Sequence, residues 1–496
     1  MTLGGPITAL AVPLVLLSLL AQTPAPKPAP RELVARAVTA MGGESAVRGM
    51  RSYTITFYSV TFGLGQEETP QSPARATVTI GTQTTDFANS RQLAVTEVRN
   101  PAGAVNKQRR ITAARIGMLE TNGAQAADGP GAVANVERFW RRSLERLLIA
   151  ALDNPATLRG LPARSWRGES VDGVHYVNGL DTLDVYFDRR SGLPVLTEAI
   201  TDDPILGDRR TVTAFTRWQE ADGIVYARQF DTEVNGRLQT NTVLTGLTVN
   251  RAVDDSLFVI PDSIKAKAQP SDPTPPPIVV NLVELAPNVW RAEGGTHHSL
   301  IVDQGTRLVV AEAPLSAQRM EALFDTLRSR FPGKPVGLVI NTHHHWDHAG
   351  GLRTVFAAEV PIVTHARNVS FVRSIGTARK TVRPDALSKS GHPSRSTITT
   401  VEDSLVVGSG PTRVVAYRLP SAHAEGLLAI YVPESKILFQ SDVVNAAPNP
   451  PAAGSAELIK FVKARGIVVE RVAGGHGVVL PWADVERAAT PPASAP

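Results

Sequence analysis

The stretch Asn341-Thr342-His343-His344-His345-Trp346-Asp347-His348-Ala349-Gly350-Gly351 decides how the rest of the chain is read. It follows Val336 to Ile340, an apolar, β-branched run short enough for a buried strand. Four side chains able to hold a metal, His343, His345, Asp347 and His348, therefore leave a strand end together. In extended backbone, residues two apart share a face, so His343 and His345 can grip one cation. Asp347 and His348 lie on the turn beyond and can face a second. Gly350 and Gly351 let the backbone turn tightly there. Imidazole and carboxylate are the donors of a catalytic zinc site built without thiolate.

No thiolate is available: the 496 residues contain no cysteine. Disulfide scaffolds, cysteine nucleophiles, iron–sulfur clusters and cysteine-ligated zinc are excluded. Of the 11 histidines, only His175 precedes a proline-rich stretch, Ile264 to Pro277, that marks the best domain boundary. Imidazole chemistry thus belongs to the C-terminal half. A hydrophobic fraction of 43% and a charged fraction of 20% describe a globular chain, and its length fits two or three domains. The net charge is +5, but no dense Lys/Arg run with interleaved aromatics occurs, which argues against a nucleic-acid partner. No GxSxG, GxxxxGK[ST] or GxGxxG element supports a serine hydrolase, a nucleotidase or a dehydrogenase.

Upstream of the histidines, Leu308 to Ala311 reads as a short strand ending at Glu312-Ala313-Pro314. Ser316 caps a helix whose Met320, Leu323, Phe324 and Leu327 share one face, and Pro332-Gly333 stop it. Downstream, Val414 to Leu419 forms a strand, and a helix is expected near Ser455 to Arg465 after the prolines Pro448, Pro450 and Pro451.

The HxHxDH spacing resembles the metallo-β-lactamase superfamily of metallohydrolases, with similarity over about 280 to 490. The resemblance implies an αββα sandwich and supplies further ligands: His423 in Ser-Ala-His-Ala-Glu-Gly, Asp442 in Phe-Gln-Ser-Asp-Val and His476 in Gly-Gly-His-Gly. It implies that His343, His345 and His423 hold one metal, that Asp347, His348 and His476 hold the other, and that Asp442 bridges them. Two divalent ions, zinc by default and iron or manganese as alternatives, would share a hydroxide that attacks the substrate. Asp347 is the candidate catalytic residue, orienting the nucleophile or returning a proton to the leaving group. Three positions depart from the family pattern: Ser441 replaces a frequent glycine, Ala422 replaces the glycine before the histidine, and Glu312 stands where an aspartate often ends the second strand.

The other histidines read more plainly. His344 should point into the fold as a hydrogen-bonded structural imidazole, and His365 is a second-layer or surface residue. His297 and His298 lie on a loop that can overhang the site, and His392 sits in a polar loop. Trp346 is expected beside the metal centre.

The N-terminal half opens with a helix carrying Leu33, Val34, Ala37, Val38 and Met41, stopped by Gly42-Gly43. Alternation then takes over at Tyr53, Ile55 and Phe57, with turn pairs at Ser191-Gly192, Asp222-Gly223 and Asn235-Gly236. A single amphipathic helix is expected over Val136 to Leu152, ending before Pro155. The phrases Val34–Gly43 and Leu183–Pro194 resemble periplasmic lipoprotein-carrier domains, half-barrels that shelter an acyl chain. The fold class is thus α+β and multidomain, an antiparallel β half-barrel with helices followed by the sandwich. The divisions are 1–21 signal peptide, 22–30 proline-rich tether, 31–262 β-rich domain, 263–279 linker and 280–490 metal domain.

The signal reading rests on Ile7 to Ala21, about 15 apolar residues and short of the ~20 needed to cross a bilayer. It implies a periplasmic or secreted protein without an integral membrane span. The expected function is an exported dinuclear-metal hydrolase of a small ester, lactone, thioester or amide. A class B-type β-lactamase activity and a non-catalytic lipid- or ligand-binding periplasmic protein are the alternatives. A carboxylate bridge without cysteine excludes the β-lactamase subgroup whose second zinc is thiolate-bound, and leans toward thioesterase- and lactonase-like groups. Partners are a small-molecule substrate and a lipid-like ligand in the N-terminal domain.

Overall fold

The structure is a computed structural model and describes residues 28–178, 181–271, 277–444 and 450–490. The expected signal segment, most of the tether, and the prolines Pro273, Pro275, Pro276 and Pro448 lie outside the described residues. Among the described residues, no helix is long and apolar enough to cross a membrane.

The N-terminal half is built on one antiparallel sheet with 13 strands among the described residues. Strand Ser52–Phe62 lies centrally, paired on one side with Ala76–Asp86 and on the other with Arg237–Val249. The turn pairs act as their chemistry requires. Asn235 and Gly236 both take positive φ, 48° and 80°, joining Ile224–Val234 to Arg237–Val249 by a two-residue hairpin whose twist matches the strands. Helix Pro30–Ala40 buries Leu33, Val34, Ala37 and Val38 against Leu147, Leu148, Val174 and Phe187. The single helix expected over Val136 to Leu152 is two, Pro130–Arg142 and Leu144–Asp153. Ser143 between them is extended (ψ 139°) and donates its hydroxyl to the Trp140 carbonyl. The apolar spacing runs on across that break, which is why it is invisible to periodicity.

The C-terminal half holds two sheets. One runs from Asn281–Ala286 to Ile398–Val401, the other from Ser404–Val407 to Val479–Pro481. Their facing surfaces share a core of Val309, Ala311, Ile340 and Val363 with Ala416, Ile430, Ile437 and Phe439. Alternate residues of the same strands face the other way. Val310 and Val339 pack under helix Ala317–Arg330 through Met320, Leu323 and Leu327. Tyr431, Leu438 and Val472 pack under helices Ala452–Arg465 and Trp482–Ala489 through Leu458, Phe461 and Val485. Strands covered on both faces read as continuous apolar runs rather than alternating ones.

Strand Leu308–Ala311 is parallel to Val336–Ile340, which is parallel to Ile362–His365; Ile437–Gln440 is parallel to Arg471–Gly474. Parallel strands bring their carboxyl ends to one edge, so Glu312, the Asn341–His348 loop, Asp442 and His476 all emerge together. The two halves also touch. Ile205, on the turn after strand Pro194–Asp203, belongs to the apolar cluster of Phe356, Ile375 and Leu387, and Asp208 accepts from the Thr381 and Val382 amides at 2.7 and 3.1 Å.

Phe439 is fully buried between the sheets. Phe439→Ala should cost about 3–5 kcal/mol in the denaturant transition that reports the C-terminal half. A loss below about 1 kcal/mol would contradict the face-to-face packing described here.

Candidate metal centre

Each expected side chain arrives from a strand end. His343, His345, Asp347 and His348 follow Val336–Ile340, and His345 is the N-cap of the short helix Trp346–Ala349. His423 follows Val414–Arg418, Asp442 follows Ile437–Gln440, and His476 follows Arg471–Gly474. The structure brings all seven together. Asp442 lies at the centre: its Oδ2 is 2.8 Å from His423 Nε2 and 3.3 Å from His343 Nε2, and its Oδ1 is 2.9 Å from His476 Nε2 and 3.0 Å from His348 Nε2.

Two four-residue groups can be distinguished, besides the trio of Glu312, His343 and His348. His343, His345, His423 and Asp442 bring one donor atom each within 4.8 Å of one another, and so do His297, Asp347, His348 and His476. His345 Nδ1 is buried without a hydrogen-bond partner, and His343 Nε2 and His423 Nε2 find none beyond the Asp442 carboxylate. Buried polar atoms are normally paired, and leaving one unpaired costs about 1–3 kcal/mol. Three imidazole nitrogens gathered around one carboxylate, one of them unpaired, form a site suited to a cation.

Groups on the far side of each ring decide which nitrogen is free. Glu312 is fully buried; its Oε2 accepts from His348 Nδ1 at 2.9 Å, and its Oε1 accepts from the Thr342 hydroxyl. Thr342 in turn lies 3.1 Å from His343 Nδ1. A carboxylate only accepts, so Glu312 keeps a proton on His348 Nδ1 and leaves Nε2 to face Asp442 and the site. The relay through Thr342 orders His343 the same way. Glu312 reaches this position from a backbone φ of +76°, a conformation that costs an ordinary residue about 1–2 kcal/mol.

Electrostatics divide the rings. Burial pushes His345 down to about 2 and lowers His343, so both stay neutral. Burial works to lower His348 as well, but Glu312 and Asp442 outweigh it and raise it well above the usual imidazole range, so a cation must displace its Nε2 proton. Burial works to raise the Asp442 carboxyl, but the contacts of His343, His348, His423 and His476 outweigh it and hold it well below the usual range. Burial likewise opposes, and fails to prevent, a lowered Asp347, which accepts from His297 and Gln66. Neutral imidazoles beside ionised carboxylates are the ligating state, so His343 and His345 are ready for a cation, whereas binding at His348 releases a proton.

The glycines differ from expectation. Gly350 and Gly351 have ordinary helical φ values, −62° and −89°. Their role is close approach: a Cβ on Gly350 would lie 2.1 Å from the Leu315 carbonyl oxygen. His344 points inward beside Phe371, but neither of its ring nitrogens has a hydrogen-bond partner, contrary to the structural imidazole expected. Trp346 is 45% exposed and lies by Gly65 of the other half. His365 caps the turn Ala366–Asn368, His392 is exposed, and His298 donates to the Gly477 carbonyl at 3.0 Å.

Two contributions were not anticipated. His297, read as a loop overhang, is buried with Nε2 3.3 Å from Asp347 Oδ2 and its ring 3.9 Å from that of His476. Residues of the N-terminal loop after Phe62 also enter: Gln66 Nε2 donates to Asp347 Oδ1 at 2.9 Å, and the Glu67 carbonyl accepts from His345 Nε2 at 2.8 Å. The His297-His298 pair was a visible signal for the first; nothing in the sequence marked the second.

Residues 283–482 match the profile of the family described as the Metallo-beta-lactamase superfamily. A curated relative, the 2,4-dinitroanisole O-demethylase subunit alpha of Nocardioides sp. (strain JS1661), is 26% identical over 161 residues, or 32% of this chain. The match spans 45% of that relative's length, less than half. Among solved structures, the chain is similar to the metallo-beta-lactamase from Pontibacter korlensis (18% identity, 42% of this chain and 97% of that one, TM-score 0.33). It is also similar to TMB-1 (16% identity, 42% and 95%, TM-score 0.33).

Glu312→Gln leaves either His348 or Thr342 without its acceptor. It should weaken divalent-metal affinity about 10- to 100-fold, measured by chelator competition; unchanged affinity would remove Glu312 from its orienting role.

Proposed function

We propose, from the premise that the C-terminal half is a metallo-beta-lactamase superfamily domain and hence a metal-dependent hydrolase, that this protein is an exported dinuclear hydrolase of small esters, lactones, thioesters or amides. We read the helix and sheet layers of that half as the αββα sandwich, and the N-terminal sheet with its helices as a half-barrel. The observation that carries the reading is the convergence of His343 Nε2 and His423 Nε2 on Asp442, with the unpartnered His345 Nδ1 beside them. His343, His345 and His423 would hold one ion and Asp347, His348 and His476 the other, with Asp442 placed to serve both. The all-nitrogen-and-oxygen donor set favours zinc, with iron or manganese as alternatives.

Two divalent cations, when bound, supply Lewis acidity toward the electrophile and lower the pKa of an attacking water. The chain's own groups do the rest. His343, His345 and His348 are buried and rigidly oriented, whereas His423 and His476 are partly open, at 27% and 28%. Substrate therefore enters from the His423–His476 side. Asp347, held between His297 and Gln66, keeps an ionised carboxylate at the site, able to orient water and to return a proton to the leaving group. The segment Ile7 to Ala21 supports export to the periplasm or medium.

A second reading has one observation in its favour. The N-terminal half contains an apolar cavity of about 430 Å³ lined by Tyr53, Ile55, Leu183, Phe215, Tyr226 and Leu244, which suits a lipid-like ligand. Such a ligand can accompany the hydrolase or replace it as the protein's main task.

A chromogenic panel of lactone, thioester, aryl ester and cephalosporin, with a nitroaryl methyl ether after the relative's name, separates these readings. Turnover of at least one member is expected, abolished by chelation and reduced 10³-fold or more in His343→Ala and Asp442→Ala with the fold intact. Turnover surviving exhaustive chelation, or full metal occupancy with no turnover and co-purified lipid, would overturn the hydrolase. His297→Ala should lower the affinity for the more weakly held ion about 10-fold, read by metal titration. Equal affinity for both ions in variant and parent would deny His297 that part.

A further inference from the structure

The loop between strands Ser52–Phe62 and Ala76–Asp86 leaves its own sheet and lies across the candidate metal centre. It touches several of the residues assigned there. Glu67 offers its carbonyl to His345 Nε2 at 2.8 Å, and Gln66 its amide to Asp347 Oδ1 at 2.9 Å. Arg75 donates to the carbonyls of Ala422 and His423 at 2.6 and 3.2 Å, and the Glu425 amide donates to the Glu68 carbonyl at 2.8 Å. The loop is itself anchored to the N-terminal sheet: the buried Glu67 carboxylate accepts from Arg237 at 2.5 Å.

We propose that this loop is a working part of the metal centre, a strap through which the N-terminal domain sets metal affinity and active-site geometry in the C-terminal domain. The inference rests on the metal-site reading above. Its chemistry is specific. A carbonyl cannot donate, so the Glu67 contact requires the His345 proton to be on Nε2 and leaves Nδ1 as the free lone pair. That is the nitrogen found buried, unpartnered and turned toward His343, His423 and Asp442. Gln66 holds one oxygen of Asp347 while His297 holds the other, which fixes the rotation of the carboxylate. Outer partners of this kind are worth about 10- to 100-fold in metal affinity. Gln66 and Glu67 are positioning residues: they act through Asp347 and His345.

Coupling of this kind is reciprocal. If the strap favours the bound metal, the bound metal must favour the docked strap. The test uses the full chain with Zn²⁺ alone as probe. Amide hydrogen exchange across residues 63–75 should slow on Zn²⁺ addition, while the remote turn at Ser191-Gly192 stays unchanged. Gln66→Leu and Arg237→Ala should each raise the apparent Zn²⁺ dissociation constant about 10-fold or more, and Arg237→Lys should restore most of it. Arg189→Ala, which breaks a surface pair with Asp172, should leave it unaltered. Far-ultraviolet dichroism and melting of each variant separate lost coupling from lost folding; Gln66→Leu, on a half-exposed loop, is expected to fold normally. Zinc binding that leaves exchange at 63–75 untouched, or affinity unchanged in both Gln66→Leu and Arg237→Ala, would overturn the strap and leave the hydrolase standing. A parent chain that binds no divalent metal would overturn both.

Discussion

Proton placement on imidazole governs the site. An imidazole directs a lone pair at a cation only if its other nitrogen keeps the hydrogen, and here acceptor-only groups enforce that choice from behind. Glu312 does so for His348 directly and for His343 through Thr342, and the Glu67 carbonyl does so for His345. The left-handed backbone at Glu312 is a local cost borne for that placement. Strained residues of this sort persist where the surroundings hold them, and the loop after Ala311 is held on both sides. The Leu315 amide donates to the Asp347 carbonyl and the Gly351 amide to the Ala313 carbonyl, both at 2.8 Å.

The same edge of the C-terminal domain collects charge and orphaned nitrogens because parallel strands end there. Side chains from four distant segments meet without long loops, since each lies a few residues beyond a buried strand. The middles of these strands are apolar, so polar positions at and just beyond their ends are where chemistry can be mounted. Asp442, directly after Gln440-Ser441, and His476, directly after Gly474-Gly475, follow that rule.

Much of this was legible in the sequence, for a physical reason. The segment from His343 to His348 encodes its geometry locally, so spacing alone reveals it, and buried strands such as Val336–Ile340 are announced by composition. Hairpin turns at Asn235-Gly236 were equally plain because only certain residues accept positive φ. What escaped depends on tertiary approach. The break at Ser143 lies inside an unbroken apolar pattern. The closeness that demands Gly350 is to Leu315, across a loop, rather than along its own turn. Gln66 and Asp347 are 281 positions apart, and no periodicity or motif connects them. Glu312 stood out only as a departure from an aspartate, and its carboxylate accepts from both Thr342 and His348.

The anchoring of the loop after Phe62 has a consequence for the order of assembly. Its flanking strand pairs with Arg237–Val249, and Glu67 is tied to Arg237, so its anchors in the N-terminal sheet are synthesised before Asn341, whereas its contacts with Asp347, His423 and Glu425 come later. Domains tend to fold as they emerge, amino end first. By that tendency the anchored base of the loop precedes the histidine-bearing half, and the two complete each other's contacts when that half folds.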